Sequence, residues 1–186
     1  MKDLETKRYL LRKPKIEDAE EIHEIWGTDK EKIAEYKEHD VCKNIIETRA
    51  LLKTAITDSE YGRPYWLVEE KKHKKIIGYV KVPRFSRKDR KCEVAFYILK
   101  KLRMDKTPQE VLTKAIQYLF TDRGFETIIM KFYGSGVEDI KILDQVLKDI
   151  GMKRDGILRN RLIDSHGEKV DKYMYSILKE EWLQNV

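Results

Sequence analysis

Hydrophobic residues follow two different periods along the chain, and the change of period divides it into helices and strands. Spacing of three and four residues predicts helices over residues 18–26, 43–57, from 107 to Gly124, and from about 140 to 150. Short apolar runs, several with alternation, predict strands over residues 8–12, 65–69, 75–82, 92–99, 126–133, 152–163 and 168–178.

Local signals mark the ends of two helices. The segment Thr107-Pro-Gln-Glu110 has the form of a capping box, with Pro108 at the first helical position. Gly151 ends the later helix. The element order is β-α-α-β-β-β-α-β-α-β-β, which predicts an α/β fold with a mixed, mainly antiparallel central sheet and helices on both faces. We find no repeat or linker, so residues 1–186 are expected to form a single domain.

Composition excludes a disordered chain and limits the choice of partners. The 186 residues are 41% hydrophobic, and the formal net charge is +6. Lysine alternates with glutamate almost everywhere, which is typical of a solvated surface and argues against a nucleic-acid partner. The run Lys71-Lys-His-Lys-Lys75 is interpreted as a solvated turn, with a nucleic-acid contact as the lesser alternative. The excess positive charge would favour a phosphorylated cofactor.

Cysteine and histidine residues give no sign of a disulfide framework or a metal site. Cys42 and Cys92 are far apart, and the four histidines (His23, His39, His73 and His166) lack metal-ligand spacing. The first 15 residues lack the apolar segment of a signal peptide, and no apolar run could span a membrane. A cytoplasmic protein with reduced thiols is therefore expected.

Six short segments, in correct order and spacing from residue 4 to 182, resemble one family. They are Leu4–Arg12 (LETERLxLR), Asp18-Ala, Ile76-Ile-Gly78, Glu93–Ile98 (E-I-G-Y-W-L), Gly151–Arg159 (GFxxEGxLR) and Asp171 with Tyr175–Trp182 (D…YSLLxxEW). The chain resembles the GCN5-related N-acetyltransferase (GNAT) superfamily, in its ribosomal-protein N-acetyltransferase-like branch. The resemblance implies transfer of an acetyl group from acetyl-CoA to a primary amine of a small molecule or peptide, including a protein N-terminus.

The resemblance also implies roles for residues on two strands. Glu93 is the candidate general base, and a structural glutamate paired with a lysine is the equal alternative. Tyr175 would protonate the departing thiolate or line the substrate slot, although a cross-strand aromatic is the favoured interpretation. The backbone of Tyr97, Ile98 and Leu99 is expected to hold the pantetheine arm and to stabilise the oxyanion.

The phosphate-binding signature Q/R-x-x-G-x-G/A falls on Arg103, Met104, Asp105, Lys106, Thr107 and Pro108. Met104 and Lys106 replace the glycines that let backbone N–H groups approach a pyrophosphate. Pro108 has no N–H group, and Asp105 places a carboxylate near the expected phosphates. Arg103, with Lys100, Lys101 and Lys106, could supply charge instead, unless these residues form only a solvated basic turn.

A second departure lies in the helix that ends at residue 150. The branch carries N-x-x-S there, but the matching positions are Ile140 and Leu143, and Asp139 is the nearest polar residue. We therefore expect weak binding of acetyl-CoA. The first functional hypothesis is an acyl-CoA-dependent N-acetyltransferase, and the second is a catalytically degenerate GNAT-fold binding or regulatory protein. A nucleic-acid or ribosome-associated factor is the third, and both monomer and homodimer stay open.

Overall fold

The strands join in a single sheet in the computed structural model, which describes residues 1–27, 42–134, 137–163 and 167–184. The side chains at positions 26, 27, 100 and 137–139 lie outside this description, as do His39 and His166. The described strands are β1 (Leu4–Glu5), β2 (Tyr9–Arg12), β3 (Tyr65–Glu70), β4 (Lys75–Ser86), β5 (Lys91–Ile98), β6 (Thr127–Gly134), β7 (Lys153–Ile163) and β8 (Lys169–Leu178). Their order in the sheet is β1-β2-β3-β4-β5-β6-β8-β7.

Among the described strands, one neighbouring pair is parallel. β5 and β6 run in the same direction with a helix between them in the chain, and the other described pairs are antiparallel. The described helices are α1 (Ala19–Ile22), α2 (Ile45–Glu60), α3 (Thr107–Thr121), α4 (Val137–Asp149) and α5 (Lys179–Gln184). A tight turn at Ile16–Asp18 precedes α1, and a wide π-type turn at His23–Gly27 follows it. The predicted mixed, mainly antiparallel sheet with helices is confirmed.

The sheet separates two hydrophobic cores, because alternate strand residues point to opposite faces. The larger core lies under α3 and α4 and includes Val94 and Ile98 of β5 with Leu112 and Ile116 of α3. The smaller core lies under α1 and α2 and includes Tyr97 of β5. Even-numbered residues of β5 therefore face α3, and odd-numbered residues face the side of α1 and α2.

An internal salt bridge fixes the start of the chain to the sheet. Arg12 of β2 donates hydrogen bonds to both Asp18 carboxylate oxygens and, through Nε, to Glu69 of β3 at 2.6 Å. All three side chains are 15% exposed or less. The hydrogen bonds that Arg12 donates to Asp18 and Glu69 raise the pKa of Arg12 further above its already high usual value, although burial opposes the shift. The guanidinium therefore stays charged and holds β2, β3 and the α1 entry together.

The predicted capping box at the start of α3 is wrong. Thr107 is already helical, and its hydroxyl lies 2.7 Å from the hydroxyl of Tyr9 in the core. The Glu110 carboxylate instead accepts hydrogen bonds from the backbone N–H and the Nε of Arg8. Both side chains thus tie α3 to β2, which a local sequence pattern cannot reveal.

No helix within the described residues is long and apolar enough to cross a membrane. Both cysteines are buried and free of disulfides. Burial raises the pKa of Cys92 to about 12, so its thiol is a poor nucleophile at neutral pH.

Candidate active site

A gap opens between β5 and β6 halfway along the two strands. Their parallel pairing runs from Lys91 and Thr127 to Val94 and Met130 and then stops, although β5 continues to Ile98 and β6 to Gly134. The last four residues of each strand therefore diverge. This leaves backbone groups at the centre of a sheet without a neighbouring strand, a place where an extended ligand can add to the sheet.

The backbone of β5 that faces the gap is one residue out of step with the expectation. The Leu99 N–H donates to the Ile77 carbonyl of β4, and the Tyr97 carbonyl is directed at Gly78 of β4, where an added Cβ would lie 2.0 Å from it. Backbone groups alternate in direction along a strand, so those of Phe96 and Ile98 face the gap. The Tyr97 carbonyl and the Leu99 N–H are thus turned toward β4, and the sequence did not indicate Phe96. The pantetheine contacts expected for Tyr97, Ile98 and Leu99 remain predictions. The register between β5 and β4 determines which backbone groups of β5 face the gap.

Glu93 lies just before the strands separate, on the face of the sheet that is turned toward α1 and α2. Its Oε2 atom accepts a hydrogen bond from Lys131 Nζ at 2.5 Å, and both side chains are 21% exposed. Lys131 is the first residue of β6 beyond the last paired position. The ion pair consequently stands at the closed end of the gap, and the sequence did not indicate Lys131 as a partner.

The Arg103 side chain is buried at the end of β5. It is 6% exposed, and its Nε donates to the Ile98 carbonyl at 2.8 Å. Its guanidinium carbon lies 5.5 Å from the centre of the Tyr97 ring. The interpretation of Arg103 as a solvated residue is therefore wrong, and its role as a phosphate ligand remains a prediction. The side chain folds back to the end of β5 because the turn at residues 100–102 reverses the chain there.

Asp105 occupies the N-terminus of α3. Its Oδ1 atom accepts a hydrogen bond from the Thr107 N–H at 2.6 Å, and its Oδ2 atom lies 3.6 Å from Arg8. The N-terminus of a helix attracts anions because its first N–H groups have no partners in the helix. In this chain the Asp105 carboxylate already accepts a hydrogen bond from one of these N–H groups, and Pro108 has no N–H group to donate.

The remaining predicted residues of this loop and of α4 are described by their exposure and packing alone. Lys101 and Lys106 are exposed, as the solvated interpretation requires, and Met104 is 76% exposed. The side chains of Lys100 and Asp139 lie outside the described part of the structure. Ile140 packs against the end of β6, where a Cβ on Gly134 would lie 2.3 Å from its Cδ1. A side chain at position 134 would therefore require Ile140 to move.

Tyr175 lies away from the gap. It is fully buried on β8, so that β6 separates it from β5, and its ring stacks on Phe132 at 5.4 Å. Its hydroxyl donates to the Asp144 carboxylate of α4. Burial and this hydrogen bond raise the pKa of Tyr175 well above its usual value. These contacts agree with the favoured interpretation from the sequence, a cross-strand aromatic, and the role as proton donor remains a prediction.

One wide depression of about 550 Å³ lies elsewhere, between β1 and α3, and is lined by Glu5, Thr6, Lys106, Gln109, Glu110, Thr113, Lys114 and Gln117. It is shallow and open along the helix, and it brings no nucleophile or acid–base pair together. The gap between β5 and β6 combines directed backbone groups with a half-buried carboxylate, so it is the better candidate for chemistry.

Comparison with known proteins identifies relatives along most of the chain. A family model described as an acetyltransferase (GNAT) domain matches residues 8–143. The uncharacterized N-acetyltransferase p20 of Bacillus licheniformis is 24% identical over 183 residues, which cover 98% of this chain and 99% of that protein.

Two solved structures share the fold. A GNAT-family acetyltransferase from Bacillus anthracis superposes with a TM-score of 0.78 at 20% identity, covering 96% of this chain and 99% of that one. RimJ from Mycobacterium smegmatis, solved with CoA-disulfide, superposes with a TM-score of 0.80 at 14% identity, covering 97% and 87%. Since the family match extends over more than half of the sequence, the chain belongs to the GNAT acetyltransferase family.

Proposed function

We propose that this chain is an N-acetyltransferase that transfers the acetyl group of acetyl-CoA to a primary amine, including the N-terminus of a peptide. The observation that carries the proposal is the gap between β5 and β6, toward which the backbone of Phe96 and Ile98 is directed. A pantetheine arm carries amide groups of its own, so it can pair with these strand edges as a short extra strand. Acetyl-CoA supplies the activated thioester carbonyl.

Only part of the site fits the cosubstrate. The diverging strands fit an extended arm, whereas the loop of residues 99–106 presents a carboxylate at the helix N-terminus instead of open N–H groups. The Ile98 carbonyl is also already bonded to Arg103. We therefore expect a dissociation constant for acetyl-CoA on the order of 0.1 mM or weaker, which corresponds to roughly 5 kcal/mol of binding free energy.

Glu93 is the residue that can remove a proton from the acceptor. A primary amine reaches the site mainly as an ammonium ion, which must lose a proton before its nitrogen is nucleophilic. Glu93 is half-buried beside the gap and is held in place by Lys131. An incoming ammonium group would exchange with the Lys131 ammonium as the hydrogen-bond donor, because both offer the same charge and geometry.

The second candidate function is a GNAT-fold binding or regulatory protein without acetyl transfer. The specific observation in its favour is Asp105, which satisfies the helix N-terminus with a group of the protein itself. If acetyl-CoA cannot displace this carboxylate, the gap could still bind an uncharged extended segment, since the strand edges carry no net charge.

A single assay separates the two candidates. Release of free CoA thiol is measured with acetyl-CoA and a panel of small amines and peptides with free N-termini, and each peptide is matched by its N-blocked form. Thiol release that requires the free amine supports the transferase. No release with any amine at millimolar acetyl-CoA, while the protein remains folded, overturns acetyl transfer and leaves the binding protein.

A further inference from the structure

Two arginine residues and two aromatic residues meet at the end of the sheet opposite the gap. Arg87 lies in the turn between β4 and β5, and Arg123 follows the end of α3. A Cβ placed on Gly62, in the turn after α2, would lie 3.4 Å from a terminal nitrogen of Arg123, 3.8 Å from one of Arg87 and 3.9 Å from the Phe85 ring. Three turns that are distant in sequence therefore converge on one point.

Each guanidinium group has a contact that restricts its position. Arg123 donates to the Gly62 carbonyl at 3.0 Å, and the Arg87 guanidinium lies over the Phe85 ring at 5.9 Å. Phe85 in turn packs edge-on against Phe125 at 6.1 Å. Guanidinium groups that are fixed before a ligand arrives lose less entropy on binding, and their planar forks match phosphate oxygens.

The positive charges at this point are not neutralised. Among the residues that the structure describes, Arg87, Lys88 and Arg123 form no ion pair with a carboxylate. Three neighbouring basic residues, by contrast, are paired with carboxylates. Arg63 pairs with Asp58, Arg90 with Glu126 and Lys91 with Asp89. The uncompensated charge is thus concentrated at the centre of the cluster, where a bound anion would relieve the repulsion between neighbouring guanidinium groups.

An exposed aromatic residue adjoins these charges. Tyr61 directly precedes Gly62 in the chain and is 75% exposed, so its ring is accessible to a ligand. We define the arginine patch as Tyr61, Phe85, Arg87, Lys88 and Arg123. Guanidinium groups beside an exposed ring are the combination that binds single-stranded nucleic acid, because the cations contact the phosphates while a base stacks on the ring.

We propose that the arginine patch binds single-stranded nucleic acid. The patch is distinct from the acetyl-transfer site, because it lies on the other face of the sheet. Phe85 is paired with Cys92 and packs against the larger core, whereas Glu93 faces α1 and α2. The inference is therefore independent of catalysis. An acidic peptide would use the charges without the ring, and a membrane surface would require further exposed apolar side chains beside Tyr61.

The test uses fluorescence anisotropy with a labelled oligouridylate of about 15 nucleotides at roughly 50 and 200 mM salt. The double variant Arg87→Ala/Lys88→Ala should weaken binding at least 10-fold and flatten its dependence on salt. The matched control is Lys72→Ala/Lys75→Ala, which removes the same charge from two exposed positions, one in the turn between β3 and β4 and one at the first residue of β4. This control should bind like the parent protein.

Tyr61→Ala separates nucleic acid from other polyanions. Loss of one stacked base should weaken oligouridylate binding at least about 5-fold, whereas inorganic polyphosphate should bind the variant and the parent equally. The proposal is overturned if the parent protein gives no anisotropy change at the lower salt concentration, or if the two double variants lose affinity equally. It is also overturned if Tyr61→Ala has no effect, since the patch would then bind anions without recognising a base.

Discussion

Replacing Asp105 by asparagine should tighten the binding of acetyl-CoA and leave the fold intact. Asparagine caps helices about as well as aspartate, so its side-chain oxygen can keep the hydrogen bond to the Thr107 N–H. Only the negative charge is removed. The variant therefore isolates the electrostatic effect of this carboxylate on a pyrophosphate at the N-terminus of α3.

The magnitude follows from the exposure of the site. The Asp105 side chain is 44% exposed, so its interaction with a phosphate is screened by solvent. Two unit charges about 4 Å apart repel each other by about 1 kcal/mol in water and about 4 kcal/mol near a protein surface. We take a value near the lower limit, about 1.4 kcal/mol, which corresponds to a roughly 10-fold tighter dissociation constant.

Calorimetry measures the affinity, and thermal unfolding measures the stability. Asp105→Asn should bind acetyl-CoA about 10-fold more tightly with a change in unfolding free energy below about 0.5 kcal/mol. Asp105→Ala should also bind more tightly but lose about 1 kcal/mol of stability with the cap, or roughly 3 °C in Tm. Asp122→Asn removes the same charge at the other end of α3 and should leave binding unchanged.

Two results would refute this reasoning. Micromolar binding by the parent protein would mean that acetyl-CoA displaces Asp105 without difficulty. An affinity of Asp105→Asn equal to that of the parent would mean that the pyrophosphate does not bind at the N-terminus of α3 at all.

Three further predictions concern the base, the internal salt bridge and the response to acid. Glu93→Gln should lower acetyl transfer roughly 100-fold at neutral pH with little change in acetyl-CoA affinity, because glutamine cannot accept a proton. Arg12→Ala should destabilise the protein by about 3–5 kcal/mol in denaturant unfolding, because two buried carboxylates lose their partner. Burial raises the pKa of Asp144, but hydrogen bonds from Lys148 and Tyr175 outweigh burial and hold the pKa below its usual 3.8. The stabilisation by ionised Asp144 should therefore be complete above about pH 5 and decline as the pH falls below 4, and Asp144→Asn should remove this decline from the pH profile of Tm.

Controls make these three predictions decisive. Lys131→Met removes the ion pair but keeps the carboxylate, so it should retain more activity than Glu93→Gln; equal losses would show that the pair is structural. Arg49→Ala breaks an exposed ion pair with Glu20 and should change stability by less than about 1 kcal/mol. A loss as small as this for Arg12→Ala would show that the buried bridge is not needed. Parallel acid profiles of Tm for the parent and Asp144→Asn would remove Asp144 from the acid response.

The order of elements was largely determined by the sequence. Apolar periods of two and between three and four specify strands and helices locally, so the predicted and observed elements agree within a few residues at most ends. The two-residue β1 and the C-terminal α5 were not predicted, since neither is long enough to show a period. Val94 and Phe96 face the larger core as alternation along a strand requires.

Whether each backbone group of β5 faces β4 or the gap was decided only by tertiary structure. Alternation states that Tyr97 and Ile98 point in opposite directions, but not which of them faces β4. The register of Leu99 against Ile77 settles the direction, and register depends on a neighbouring strand. The burial of Arg103 has the same origin, because the Tyr97 ring and the Ile98 carbonyl that hold it belong to another element.

The distribution of charge likewise depends partly on the sequence and partly on the tertiary structure. In sequence, lysine and arginine alternate with acidic residues, and the most basic run is Lys71–Lys75. In the structure, Lys71 and Lys74 of that run are paired with Glu5 and Glu69. Folding instead brings Arg87 and Arg123 together from turns 36 positions apart in the printed sequence, without a carboxylate between them. Local pattern thus determines which segments are helices and strands, while pairing between distant segments determines which charges and backbone groups are left to meet a ligand.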